Sequence, residues 1–421
     1  MNTPARTLSI VAALAAGALA LGGCAGSAAL SDSAAAAERA PGDDIIIGAL
    51  HPVSGANAVD GQQMRAAAQM AIDDANAAGA GDFDDAELVL DAADTKGDVE
   101  TGSAEATRLI QDGATALVGS FQSATSANIA ATAERNGVPF VMDVSALDSI
   151  LEQGYTYSFR VQPSGGIMGE RAAEYLREIA DETGADVEKI GYLYEQGNFG
   201  VAAYQGFVRA SEAAGLEVTN AISYDPAASD YSTQVQQALA GGVDILAVSG
   251  YYNDGLLISK AVESIAPPEL KAVYGVANGG YDQVQFMNSA PRGGAGYMNA
   301  NYAINPNNER AQDVAERFET AFGQPMRTSA ALTYDAVSII TQAIADAESA
   351  VPADVRDAIA DSDYEPIIVN DGPSVDFDET GQNANATVAV VQILNDQIVP
   401  VHPTDAASAE PVLPAFGDDA P

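Results

Sequence analysis

The chain has 421 residues, of which 47% are hydrophobic, and a formal net charge of −41 at pH 7. This length and apolar content suffice for about two domains with their own cores and exclude general disorder. So acidic a chain repels phosphate backbones and anionic headgroups, which excludes nucleic-acid binding and a polybasic contact with lipid.

The acidity itself has two interpretations that the sequence leaves open. It can reflect adaptation to high salt, because counterions screen the repulsion between surface carboxylates. It can equally reflect a general compositional bias toward alanine and aspartate. Either way, it describes the surface rather than the fold.

The first 24 residues have the pattern of an export signal. A short polar segment with Arg6 precedes the apolar run from Leu8 to Leu21, and small residues follow. The run is shorter than the roughly 20 apolar residues of a membrane-spanning helix. We therefore predict that residues 1–23 are a signal peptide and that the mature protein is extracytoplasmic.

The end of this signal contains the only cysteine of the chain. Leu21-Gly22-Gly23-Cys24 resembles the lipobox of bacterial lipoproteins. The resemblance implies that Cys24 becomes a lipidated N-terminus that anchors the protein to the membrane; the alternative is a plain signal peptide followed by an unrelated cysteine. Residues 24–43, rich in alanine and serine, are predicted to be a flexible tether behind the lipid.

From residue 44 to residue 403, short apolar runs alternate with segments of helical periodicity. Buried strands are predicted at 45–50, 88–90, 116–119, 139–142, 190–194, 218–223, 245–248 and 272–274. Helices are predicted at 61–79, 98–112, 124–136, 166–183, 199–214, 231–239, 256–265, 311–322 and 329–347. This alternation is typical of doubly wound parallel sheets, and the number of strands favours two α/β lobes.

The end of the chain has a different pattern. Val375–Phe377 and Thr387–Leu394 are predicted to form a hairpin around a turn at residues 378–381. Residues 404–421 have no periodicity and several prolines, and we expect them to be a disordered tail.

Loops that follow predicted strands carry the candidate ligand-binding groups. Ligands of open parallel sheets lie at the carboxyl ends of the strands. The loops at those ends are 51–55, 120–123, 143–146, 250–254 and 275–279. Their side chains are small, hydroxylated, amide or aromatic, and none of the loops has the glycine pattern of a phosphate site. They indicate a small polar organic ligand.

Several motifs in order resemble one family. Ile47 to Gly55, Val118 to Ser120, Gly137 to Val141, Phe159 to Pro163 and Phe377 to Ala384 are similar to segments of the leucine/isoleucine/valine-type solute-binding proteins of ABC importers. The resemblance spans about residues 44–403 and implies the type I periplasmic binding fold. In that fold, two parallel-sheet lobes are joined by a three-strand hinge.

The same resemblance implies the composition of each lobe. Lobe 1 is expected to contain residues 44–163 and 301–366, and lobe 2 residues 164–300 and 367–403. The ligand is expected in the cleft between them.

Five residues are predicted to contact the ligand in this cleft. The hydroxyl and following amides of Ser123 begin a helix, where donors and the helix dipole favour a carboxylate; the alternative is a simple cap. The backbone of Ser145 and Ala146 is expected to face it, with an amide for the carboxylate and a carbonyl for an amine. Phe199 and Tyr251 match aromatic positions of the family and are expected to contact the ligand body, although Phe199 could equally be ordinary helix packing.

The site for an amine differs from the family pattern. Leucine-type proteins have a glutamate where this chain has Ala277, with Asn278 beside it. Asn278 is therefore a candidate contact, and Asp60 could supply the missing charge unless it serves as a helix cap. Branched-chain amino acids, amides, short peptides and aromatic acids all remain open as ligands.

The predicted function is that of a monomeric, lipid-anchored binding protein that captures an amino-acid-like solute. It would deliver this solute to the permease and ATPase subunits of an ABC transporter, without a cofactor or metal ion. A ligand-sensing receptor of the same fold is the alternative. A secreted α/β hydrolase is a remote third, because no Gly-x-Ser-x-Gly motif occurs and the order of His51 and His402 does not fit a triad.

Overall fold

A computed structural model describes residues 39–416 of the chain. The strands are β1 (Ile45–His51), β2 (Leu88–Asp94), β3 (Ala116–Gly119), β4 (Phe140–Met142), β5 (Ser158–Arg160), β6 (Lys189–Glu195), β7 (Glu217–Tyr224), β8 (Ile245–Ser249), β9 (Ala272–Val276), β10 (Met298–Asn301), β11 (Ala389–Leu394) and β12 (Gln397–His402). The helices are α1 (Ala58–Ala77), α2 (Val99–Gln111), α3 (Ser123–Asn136), α4 (Gly165–Thr183), α5 (Asn198–Ser211), α6 (Ser232–Ala238), α7 (Tyr252–Ile265), α8 (Val284–Ser289), α9 (Glu309–Phe322), α10 (Thr328–Ala347) and α11 (Pro352–Ala360).

The predicted signal peptide and Cys24 lie outside the described residues, as does most of the predicted tether. Of the tether, residues 39–43 are described, and Arg39 there pairs with Asp84 at 2.5 Å. Within residues 39–416, no helix is both long enough and apolar enough to cross a membrane.

The first sheet has the strand order β2-β1-β3-β4-β5, and all its strands are parallel. Its strands are rich in branched apolar residues because helices cover both faces. Helices α1 and α10 contribute to the core on one face, and α2 and α3 to the core on the other. We call this sheet and its helices lobe 1.

The second sheet has the order β12-β11-β10-β9-β8-β6-β7. Its five strands from β6 to β10 are parallel and repeat the topology of the first sheet. Strand β11 pairs antiparallel with both of its neighbours, β10 and β12. Helices α4 and α5 cover one face, and α6 and α7 the other. This sheet and its helices form lobe 2, so the predicted α/β architecture with two lobes is confirmed.

Helices α4 and α5 lie unusually close together in lobe 2. A Cβ atom on Gly169 would lie 2.1 Å from the carbonyl oxygen of Ala203, and one on Gly206 would lie 2.1 Å from that of Gly166. Glycine at both positions lets the two backbones approach. This contact fixes the start of α5, where Phe199 lies, against lobe 2.

The predicted hairpin at the end of the chain joins the wrong strands. Strand β11 pairs with β12, and a two-residue turn at Asn395 and Asp396 joins them. Both residues have positive φ (51° and 59°), as a type I′ turn requires. Phe377 instead forms a single bridge with Asn383 around the turn at residues 378–381.

The chain passes between the lobes three times: between β5 and α4, between β10 and α9, and ahead of β11. Side chains join the first and third passages. Asn383 Nδ2 donates to the carbonyl of Val161, and Gln382 Nε2 donates to that of Gln162, each at 2.9 Å. Two segments that resembled family motifs thus meet at the hinge.

The boundary predicted at residue 366 falls too early. Ile367, Ile368 and Val375 are buried in the same core as α1 and α10 of lobe 1. The amide of Ile367 donates to the carboxylate of Asp335 in α10 at 3.0 Å. Buried apolar side chains therefore keep residues 367–377 on lobe 1.

The expectation of a disordered tail does not match residues 404–416. Leu413 is buried in the core of lobe 2. The amides of Ala415 and Phe416 donate to the carbonyl of Lys271 at 2.8 and 3.0 Å. The isolated apolar residues of this segment, which lack periodicity, are enough to hold it on lobe 2.

Candidate ligand-binding site

A small cavity lies between the carboxyl ends of the two sheets. It encloses about 40 Å³, well below the roughly 300–1,000 Å³ of pockets for drug-sized ligands. The residues that line it are Phe121, Ser123, Val144, Ala146, Met168, Phe199, Gly250, Tyr251, Ala277, Gly279, Asn301 and Tyr302. We call it the cleft cavity.

Ser123 lines this cavity as the first residue of α3. The residue before it, Gln122, has extended backbone angles (φ −87°, ψ 128°), and its carbonyl accepts the first helical hydrogen bond, from Ser126. The amides of residues 123–125 therefore precede the first bonded turn. In the described part of the chain, the hydroxyl of Ser123 has no hydrogen-bond partner. The start of this 14-residue helix offers several donors and a positive dipole to an anion.

Ala146 lines the cavity together with Ser123, whereas the predicted contact Ser145 does not line it. The carbonyl of Ala146 accepts from the amide of Gly165 at 2.6 Å, and that of Ser145 accepts from Gln162 Nε2 at 2.7 Å. Each carbonyl therefore already has one donor, and a ligand amine would have to use its second lone pair. The hydroxyl of Ser145 is buried without a partner among the described residues.

Lobe 2 provides the aromatic side of the cavity. The rings of Phe199 and Tyr251 lie 5.6 Å apart between centroids and are tilted by 41°. Burial and the nearby carboxylate of Glu195 raise the pKa of the Tyr251 phenol, so the phenol remains a neutral donor. Phe199 and Tyr251 thus both line the cleft cavity, and their contact with a ligand stays a prediction.

A buried carboxyl beneath Tyr251 holds its backbone. The amide of Tyr251 donates to the carboxylate of Asp254 at 2.9 Å, and the hydroxyl of Tyr224 donates to the same group at 2.7 Å. Burial raises the pKa of Asp254 to about 6. Asp254 was not among the predicted site residues because its role is to position another residue.

Asn278 does not line the cavity. Its side-chain oxygen accepts from the amide of Gly280 at 2.9 Å, and its backbone is bonded to the side chain of Asn299. The side chain thus stabilises the loop within lobe 2, and its neighbour Ala277 faces the cavity instead.

Asp60 also lies away from the cleft cavity. It lies inside the first turn of α1 rather than at its cap. Arg327 donates to one carboxylate oxygen at 2.9 Å, and the hydroxyl of Ser329 donates to the other at 3.0 Å. Its charge is therefore already compensated within lobe 1.

Some lining residues were missed by the sequence analysis. Asn301 is the last residue of β10 and Tyr302 follows it, whereas no strand was predicted between residues 274 and 375, so no strand end was expected there. Phe121 and Met168 precede or lie within predicted helices, where an apolar side chain gives no sign of whether it faces the core or a ligand. Only β10 had a signal in the sequence: Met298, Ala300 and Tyr302 alternate with asparagines, as in a short strand.

None of the side chains that line the cleft cavity is charged. An anion could be held by the hydroxyl of Ser123 and by helix amides, while an ammonium would have no opposite charge in contact. The described residues include no cluster of acidic, histidine or cysteine side chains that could hold a metal ion.

Comparison with known proteins identifies the family. Residues 44–397 match the model of a family described as periplasmic binding protein. The chain belongs to this family. Its members work outside the cytoplasm and bind solutes, so the predictions of a binding protein rather than an enzyme and of an extracytoplasmic location are confirmed.

Individual relatives agree with this membership. The chain is 27% identical over 377 residues to Leu/Ile/Val-binding protein homolog 8 of Brucella abortus, which covers 87% of this chain and 92% of the relative. Among solved structures, a leucine-binding protein of Thermotoga maritima superposes with a TM-score of 0.73 at 20% identity, covering 85% and 97% of the two chains. A solute-binding protein of an ABC transporter from R. palustris, in complex with benzoate, gives 0.71 at 15% identity, covering 90% and 98%. These two likenesses show the shared fold.

Proposed function

We propose that this periplasmic binding protein captures a small organic carboxylate in the cleft cavity and delivers it to an ABC permease. One observation carries the proposal: the donors at the start of α3 in lobe 1 face the aromatic pair Phe199 and Tyr251 of lobe 2 across one cavity. A carboxylate would accept from Ser123, and the apolar body of the ligand would pack on the aromatic rings.

Closure of the lobes would complete this site. The cavity is small, and its walls come from both lobes, so a ligand enters when they separate about the three hinge segments. A ligand that contacts both walls favours the closed arrangement by the difference between its affinities for the two forms.

Two ligand classes have specific support. The names of the relatives in Brucella and Thermotoga point to leucine, isoleucine or valine. The absence of a charged side chain from the lining, together with the benzoate complex from R. palustris, favours an aromatic or other monocarboxylic acid. The hydrogen-bond donors at the start of α3 would compensate a carboxylate, whereas an ammonium would have no opposite charge in contact.

A binding screen separates these classes. The mature protein is titrated by calorimetry with leucine, isoleucine, valine, their amides and benzoate. We expect saturable binding for carboxylates and at least tenfold weaker binding for the matching amides. If no carboxylate binds, or if amides bind as well as acids, the proposed role of the α3 start is wrong.

Delivery to a transporter, rather than sensing, is supported by the ABC transporter named for the R. palustris protein. We propose permease and ATPase subunits as partners and a monomer as the working form. Uptake of the labelled ligand in a strain that lacks this protein, with and without its return, tests transport directly. Unchanged uptake together with a lost transcriptional response would favour the sensor.

The lipid anchor at Cys24 remains a proposal based on the sequence Leu21 to Cys24. In cells, we expect the protein to sediment with membranes and a Cys24→Ser variant to appear in the soluble or secreted fraction. Equal membrane association of both proteins would exclude lipidation as the anchor.

A further inference from the structure

A second, larger cavity lies near the hinge. It encloses about 300 Å³ and is lined by parts of both lobes: the start of α8, the end of β10, the segment before α10 and the hairpin β11-β12. Its apolar lining includes Val284, Ile304, Met326, Val391 and Ile398. We call it the hinge-side cavity. It shares only Asn301 and Tyr302 with the cleft cavity.

Lobe 2 presents two oxygen acceptors to this cavity. Asp282 Oδ2 accepts from Asn301 Nδ2 at 3.0 Å, and its Oδ1 receives no hydrogen bond from another residue within 39–416. The neighbouring Gln283 donates through Nε2 to the carbonyl of Gly279, and its Oε1 is buried without a partner in the same range. A buried acceptor without a donor, such as this oxygen of Gln283, is uncommon in folded proteins and costs stability.

Lobe 1 presents a guanidinium that already forms an ion pair. Arg327 lines the hinge-side cavity, its side chain is 10% exposed, and it pairs with Asp60 at 2.9 Å. Its Nε is buried and has no partner in the described chain. Two carboxylates, those of Asp60 and Asp282, thus face one guanidinium, which leaves an excess of one negative charge when both are ionised.

The raised pKa of Asp282 agrees with this excess of negative charge. Burial, together with the nearby charge of Asp60, raises its pKa to about 6, although Asn301 and Arg327 act in the opposite direction. At neutral pH the carboxylate is therefore mostly ionised and incompletely compensated. A cation in the cavity would stabilise it.

We propose that the hinge-side cavity is a second ligand site, which accepts a small molecule with a primary ammonium group and a short apolar body. The ammonium donates to Asp282 Oδ1 and Gln283 Oε1, and the apolar part contacts the residues around Met326 and Val391. A primary ammonium has three donors, which suits two acceptors side by side. This proposal does not rest on the proposed carboxylate site, whose lining contains neither Asp282 nor Gln283.

Binding at this position would also affect the hinge. The acceptors belong to lobe 2 and the opposite side, around Arg327, belongs to lobe 1, so an occupant contacts both lobes. It would favour the lobe arrangement described here over a more open one.

The experiment uses n-butylammonium chloride as the probe and n-butanol and sodium chloride as controls. ¹H–¹⁵N spectra of the full mature protein are recorded during titration. We expect saturable shifts of amides in residues 282–285 and 326–328 with the amine, with millimolar affinity for so small a probe, and no matching shifts with the controls. The absence of saturable shifts there, or an equal response to butanol, overturns the proposal.

Variants assign the site. Asp282→Asn keeps the shape of the side chain and should weaken amine binding at least tenfold, whereas Asp181→Asn, an exposed acid on α4, should not change it. If Asp282→Asn does not fold, Gln283→Leu replaces it with the same expectation. Unchanged affinity in a folded variant refutes the role of these acceptors.

The cleft variant Ser123→Ala distinguishes binding at the two sites, because it should leave amine binding intact. Amine-induced shifts confined to Phe199 and Tyr251 would place the probe in the cleft cavity and overturn this proposal. If no carboxylate binds the protein while the amine still binds near Asp282, the proposed function fails and the second site stands.

Discussion

The two sides of the cleft cavity come from lobes of the same topology but contribute different chemistry. Lobe 1 offers a hydroxyl and backbone amides at Ser123 and Ala146, whereas lobe 2 offers the rings of Phe199 and Tyr251. Both sets lie at carboxyl ends of parallel strands, where the fold places loops rather than dictating their residues. From this difference we expect lobe 1 to determine the orientation of the proposed ligand and lobe 2 to supply most of its affinity.

Removal of the aromatic side should have the largest effect. We expect Tyr251→Ala to weaken ligand binding by about 2–4 kcal/mol, because the ring lines the cleft cavity and aromatic residues carry much of the affinity at binding interfaces. Calorimetry with the best ligand of the screen measures the loss. Tyr204→Ala, which removes a lobe 2 tyrosine stacked on Tyr194 outside the cavity, is the matched control.

An equal loss for Tyr204→Ala would mean that the effect is a general one on lobe 2. A loss below about 0.5 kcal/mol for Tyr251→Ala would mean that lobe 2 does not supply most of the affinity, and the comparison of the two sides would have to be reversed.

The lobe 2 side of the cleft rests on a titrating group, because the backbone amide of Tyr251 donates to the buried Asp254. The pKa of Asp254 is about 6 in the folded protein and 3.8 in its ordinary state. The folded form therefore holds this proton more tightly. Its stabilising contribution is fully present below pH 3.8 and is lost as pH rises through about 6, with a total near 3 kcal/mol.

Urea unfolding between pH 4 and pH 7 tests this sign. The free energy of unfolding should fall less steeply with pH in Asp254→Asn than in the wild type, since the variant lacks the titrating group. Asp181→Asn, at an exposed position, should follow the wild type. A steeper fall in Asp254→Asn would show that the sign is wrong.

Substitution of the lobe 1 hydroxyl should have a smaller effect. Ser123→Ala removes one donor but leaves the amides at the start of α3, so we expect a loss of about 1–2 kcal/mol for a carboxylate ligand. The matching amide should lose less, because no charge is involved. The exposed Ser149→Ala is the control, and equal losses for acid and amide would argue against a carboxylate at this position.

The sequence predicted the parts of this molecule that depend on periodicity. Strands such as β1 and β8 are continuous apolar runs, and helices such as α4 have a clear buried stripe, so the two lobes followed from pattern alone. The short strands β5 and β10 were missed because they mix polar and apolar residues, whereas the equally short β3 and β4 are apolar runs. Because β10 was missed, Asn301 and Tyr302, which line both cavities, were missed as well.

The site was predictable where a strand end and a helix start coincide, as at Ser123. It was not predictable where the outcome depends on partners distant in sequence. In the sequence Asp60 is free for a ligand, but in the structure it pairs with Arg327, more than 260 residues later in the chain. Asn278 appeared to face the cleft, but its bonds to Gly280 and Asn299 direct it into lobe 2.

The smallest expected effect concerns the surface that both lobes share. With a net charge of −41, repulsion between exposed carboxylates opposes folding, and salt reduces it. If the acidity is an adaptation to salt, an increase from about 0.1 to 1 M sodium chloride should raise the melting temperature by several degrees, which corresponds to roughly 1–2 kcal/mol. A non-ionic osmolyte of the same osmolarity serves as the control, since it leaves electrostatic repulsion unscreened. Equal melting temperatures at both salt concentrations would favour compositional bias.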